Sequence, residues 1–86
     1  MFLHLGADTV VPLREVIAIN DLKHTQSKAN GIFIKNMREK DKVVDVSDNQ
    51  PKSFVITDGL VYLSAISALT LKKRAHHLNG LEHDEA

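Results

Sequence analysis

The 86-residue chain has no cysteine, no tryptophan, two prolines, four glycines and four aromatic side chains, Phe2, Phe33, Phe54 and Tyr62. Each shortage excludes something. Without cysteine there is no disulfide framework, no thiolate metal site and no thiol nucleophile. With glycines dispersed at 6, 31, 59 and 80 there is no glycine-rich phosphate loop. No apolar run approaches the roughly 18 residues that a spanning helix needs. The start, Met1-Phe2-Leu3-His4-Leu5, lacks a basic leader and meets Gly6 and Asp8 at once, unlike a signal peptide. A soluble, cytoplasmic protein with no membrane partner is expected. A core built from Val, Ile, Leu and Ala gains less per residue than an aromatic-rich one, so self-association is expected as well.

What the chain does contain is patterned. Phe2–Leu5 reads as a short strand, Gly6-Ala7-Asp8 as its turn, and Thr9-Val10-Val11 as resumed extended chain stopped by Pro12. Leu13-Arg14-Glu15 reads as a helical bend. Val16-Ile17-Ala18-Ile19, β-branched at three of four positions, favours a strand. Residues 23 to 30 are polar and read as a loop. Ala29, Ile32, Phe33 and Met37 then recur at helical spacing, with Ser27 as a candidate N-cap and Ile34 off the main stripe. Val43–Val46 and Phe54–Thr57 suggest a hairpin around Ser47–Pro51. Asp58-Gly59 is the strongest two-residue turn in the chain, followed by a strand over 60–67. A final helix from Leu69 carries Leu71, Ala75 and Leu78 on one face, with Ser67 or Thr70 as cap and Asn79-Gly80 as its end.

The expected fold is therefore α+β, a small and mostly antiparallel sheet with one central and one C-terminal helix, in the order ββαβββα. A single domain is expected over 1–78, with 79–86 a frayed acidic tail. Strand 60–67 is apolar on both faces (Leu60, Tyr62 and Ile66 against Val61, Leu63 and Ala65). With only two helices to cover the sheet, the second apolar face is expected to meet another subunit.

Chemistry-bearing residues are scattered. His76 and His77 are adjacent and point about 100° apart on a helix, and no His-x3-His spacing exists, so no metal or cofactor is expected. No serine lies in a nucleophile elbow, and carboxylates such as Glu39 and Asp41 sit in a charged run. No catalytic site and no small-molecule substrate are evident, and an enzyme is not expected. Charge is more telling. Eleven bases balance eleven acids, which argues mildly against nucleic acid, yet residues 23–42 carry a net of +4 and Lys72-Lys73-Arg74 are contiguous. In an oligomer such patches multiply, and phosphate binding grows with the number of contacts.

Specific segments then carry a resemblance. Phe2-Leu3-His4-Leu5-Gly6, Val16-Ile17-Ala18-Ile19, Pro51-Lys52-Ser53-Phe54-Val55-Ile56-Thr57, Val61-Tyr62-Leu63-Ser64 and Thr70-Leu71-Lys72-Lys73-Arg74-Ala75 resemble the RemA/RemB family of bacterial extracellular-matrix regulators, closest to its RemB branch. The resemblance runs from Met1 to about Ala75. It implies a transcriptional regulator of biofilm matrix genes, a homo-oligomer forming a closed ring, and double-stranded DNA as partner, bound by arginines on its backbone. The departures are local. The RemA pattern has an arginine pair in the turn before the fourth strand, where this chain has Asn49-Gln50, with a base surviving at Lys52. An Asn-Arg pair near the second strand is replaced by Arg14-Glu15. Lost arginines remove bidentate phosphate donors that lysine and amide groups do not replace. The DNA-binding candidates are Arg14, Lys52, Lys72, Lys73 and Arg74. The alternative is an oligomeric protein–protein interaction module of the same pathway with no DNA contact.

Overall fold

The computed structural model describes residues 1–22 and 28–84, with side chains described for 1–22 and 30–78. It is α+β, with six strands in two sheets and two helices. The first stretch divides into β1 (Phe2–Gly6) and β2 (Thr9–Pro12), an antiparallel hairpin. Its turn holds Gly6 at φ +113°, and Ala7 and Asp8 at +47° and +63°. The left-handed region suits glycine and tolerates aspartate, which is why the chain reverses here. A 3-10 turn at Leu13–Glu15 leads into β3 (Val16–Asp21). Then follow α1 (Lys28–Glu39), β4 (Val43–Asp45), β5 (Ser53–Thr57), β6 (Val61–Ser64) and α2 (Ala68–Asp84). The Ser27 cap and residues 23–27 of the expected loop lie outside the described residues, while residues 28–30, read as part of that loop, already belong to α1.

The second sheet has strand order β3-β5-β6-β4. This corrects the expected β4–β5 hairpin. The chain does reverse at 47–51, but β6 inserts between the two strands. It pairs antiparallel with β5 (Phe54 opposite Leu63) and parallel with β4 (Val44 opposite Tyr62). The reason lies in the side chains. Val61 and Leu63 are buried on one face of β6 while Tyr62 packs on the other, so β6 belongs in the sheet interior. The three-residue β4, with Val44 and Asp45 exposed, suits an edge. The β5–β6 turn forms at Asp58-Gly59 as expected, with Gly59 at φ +99° and the Thr57 amide donating to the Leu60 carbonyl at 2.9 Å. Strand β6 stops at Ser64, short of 67, because Ser67 is already the helix cap. Its hydroxyl accepts from the Thr70 amide at 3.2 Å.

The sheet separates two cores. On one face, Phe54, Val61 and Leu63 meet Phe33, Ile34 and Met37 of α1. The stripe of α1 is thus rotated from the one expected. Ile34 packs inward, and Ile32 is 51% exposed. Phe33, Ile34 and Met37 are spaced i, i+1 and i+4, which centres the buried arc between them and leaves Ile32 beyond its edge. On the other face, Val55 and Tyr62 meet Leu3, Leu5, Val11 and Leu71 from the β1–β2 hairpin and α2. Both faces of the sheet are therefore covered within the chain, chiefly because the hairpin folds over as a second layer. The second apolar face of β6 therefore does not by itself call for another subunit, although Ile17 of β3 stays exposed. Helix α2 also runs past Asn79-Gly80, to Asp84.

Candidate nucleic-acid interface

The five basic candidates are all solvent-exposed, as phosphate donors must be. They occupy two separate ends of the molecule. Arg14 sits in the 3-10 turn ahead of β3. Since Val16 pairs with Thr57 and Asp21 with Ser53, β5 begins beside Asp21, at the end far from Arg14, and runs back toward it. Lys52 lies at that far end, its amide donating to the Ser64 carbonyl at 2.8 Å and its carbonyl accepting from the Leu22 amide at 3.0 Å. The five residues of β5 put about 17 Å of strand between the two.

Lys72, Lys73 and Arg74 follow Leu71 on α2. At about 100° per residue, Lys72 and Arg74 fall on opposite flanks of the Leu71–Ala75–Leu78 stripe, in which Leu71 is buried and the other two half-buried, and Lys73 on its back. The helix thus spreads its charge rather than concentrating it. Arg74 lines a cavity together with Phe2, Leu3, His4, His77 and Leu78. Arg14 lines a second cavity that includes Phe2 and Ala75. Phe2 borders both, so Arg14 and Arg74 line cavities that share one exposed aromatic residue, and Lys52 lines neither. Glu15, beside Arg14, is only half-buried, and its carbonyl accepts from the Asp58 amide at 3.2 Å.

The turn carrying Asn49-Gln50 is braced from beneath. Asp45 accepts from both the hydroxyl and the amide of Ser47, the latter at 2.8 Å, and the Gln50 amide donates to the Ser47 carbonyl at 3.3 Å. The Ser47 hydroxyl bond, then its amide, hold the Asp45 carboxyl below the usual carboxylate range, with Arg38 contributing at longer reach. Asp48 and Asn49 have φ of +57° and +63°. Asn and Asp adopt this left-handed conformation more readily than other non-glycine residues.

Sequence reasoning missed Phe2 as part of this surface. The signal was present: Leu3 and Leu5 alternate with Phe2 and His4, and a strand that buries the first pair must expose the second. Phe2 is 63% exposed in consequence. Among the described residues no group of three or more His, Asp or Glu could hold a metal ion, and no helix is long and apolar enough to cross a membrane.

Comparison with known proteins bears on this surface. The family model described as RemA-like, extracellular matrix regulatory protein A-like, matches residues 2–75. This chain belongs to the RemA-like family. Extracellular matrix regulatory protein B of Bacillus subtilis (strain 168) is 41% identical to it over 78 residues, which cover 91% of this chain and 94% of that relative. The RemA-like match takes in Arg14, Lys52, Lys72, Lys73 and Arg74, and so includes every basic candidate.

Proposed function

We propose that this protein regulates the expression of extracellular-matrix genes, acting in the cytoplasm as a homo-oligomer that contacts the phosphates of double-stranded DNA through Arg14, Lys52, Lys72, Lys73 and Arg74. The observation that carries the reading is membership of a family of extracellular-matrix regulators, with 41% identity to one named relative over nearly the full chain. The exposure of all five bases supports it. Their division between two ends of the subunit favours an assembly, because neighbours would have to join the two patches into one track. A few phosphate contacts per subunit then sum through avidity.

Asn49-Gln50 and the zero net charge favour a second reading, an oligomeric interaction module that binds another protein and no DNA. Mobility of a matrix-gene promoter fragment at low and moderate salt separates the two. Binding that weakens steeply with salt, and further on Lys73→Glu or Arg74→Glu, supports the first. No shift at low salt with an intact oligomer leaves the second. Light scattering tests assembly directly, and a 9.6 kDa species at tens of micromolar overturns it.

A further inference from the structure

The cleft between the outer face of β1 and helix α2 has a composition that nothing in DNA-backbone binding requires. Strand alternation sends Phe2 and His4 outward. On α2, Arg74 and His77 stand three residues apart on the flank that meets this strand. The resulting cavity is about 360 Å³, within the size range of small-ligand sites, and Leu3 and Leu78 complete its lining. Three of the six lining side chains are apolar, three carry donor nitrogens, and none is a carboxylate. An apolar floor with a cationic rim suits a molecule that is itself divided. A hydrocarbon body is removed from water against Phe2, Leu3 and Leu78, while an anionic head meets the planar fork of Arg74 and the imidazoles on either side.

We propose that this cleft binds a small amphiphilic anion, an aromatic or aliphatic body bearing one carboxylate or phosphate. The cleft shares Arg74 with the DNA reading but does not rest on it: promoter binding can fail while the cleft still takes its ligand. The test is amide chemical-shift mapping of the full chain with three probes: sodium benzoate, which has body and charge; benzyl alcohol, which has the body alone; and inorganic phosphate, which has the charge alone. Benzoate is expected to shift Phe2, Leu3, His4, Arg74 and His77 together, and to bind at least about tenfold more tightly than either other probe. Arg74→Ala is expected to weaken benzoate about tenfold, and His77→Ala by a smaller factor. Benzyl alcohol binding as tightly as benzoate, phosphate alone accounting for the affinity, or shifts that fall outside the cleft would each overturn the proposal. The probe comparison uses the unmodified protein, so it decides the matter even where a variant folds poorly.

Discussion

The Ser64 hydroxyl donates to the Leu5 carbonyl at 2.7 Å, a bond between residues 59 positions apart. The same oxygen accepts from the Ile66 amide at 3.1 Å. Ser64 is fully buried, so a single side chain ties the β1–β2 hairpin to the main sheet and fixes the bend into α2. Ser64→Ala removes both bonds and leaves a carbonyl and an amide without their partner. A loss of about 1–3 kcal/mol is expected, read as a lower urea midpoint with unchanged slope.

The α1-facing core rests on one large ring. Phe54 is 1% exposed and packs with Val61 and Leu63 beneath Phe33, Ile34 and Met37. Phe54→Ala is expected to cost about 3–5 kcal/mol, a large share of the stability of a domain this small. Ile32→Ala, on the exposed side of the same helix, is expected to stay within about 0.5 kcal/mol. Thermal unfolding of the pair checks both the magnitude and the rotation of the α1 stripe.

Asp45 sets a pH dependence of known sign. Its carboxyl is held below the ordinary 3.8 by the two Ser47 bonds, so the charged form is favoured in the folded state. The stabilisation is present above that value and fades as pH falls through the lowered folded one. Asp45→Asn should therefore lower stability slightly near neutrality, by a small amount because the group is exposed, and the two proteins should converge as pH falls and Asp45 is protonated, so the variant's curve is flatter in acid. Urea midpoints across pH 2.5–7 for the two proteins test this.

Within the proposed DNA reading, Gln50 is the position at which a phosphate donor is most easily supplied. Asn49 occupies a left-handed backbone that arginine adopts less readily, whereas Gln50 is exposed and has no such restriction. Gln50→Arg is expected to tighten promoter binding and to steepen the dependence of log K on log salt by about one per added contact. Lys73→Glu should reduce that slope. Titration at four salt concentrations measures both, and equal slopes for all variants would count against backbone contact.

Much of this fold was legible in the residues. β-Branched runs mark β3, β4 and β5, Asp58-Gly59 marks the tightest reversal, and Ser67 ahead of an i, i+4, i+7 stripe marks α2. The neighbour of β4 was not. Periodicity says that Val43–Asp45 is extended, but strand order depends on which strand is apolar on both faces, and that decides in favour of β6 only once the whole sheet is compared. The covering of both sheet faces escaped for a related reason. Phe2–Pro12 reads as two short strands, and nothing local says that the hairpin lies over Val55 and Tyr62 rather than alongside them. For the candidate interface, exposure of the bases followed from their charge, while their division between two ends of the subunit follows from strand register.

The parallel pairing of β4 with β6 also has a meaning in time. Residues 43–45 leave the ribosome well before Val61–Ser64, the strand they pair with. Until that strand follows, helix α1 has neither Val61 nor Leu63 to pack upon, and β4 has no ladder to join. Emergence in chain order therefore exposes the apolar side of α1 first, and that side is fully covered only after Val61–Ser64 have followed. The vulnerable interval of this small protein lies in its own order of manufacture.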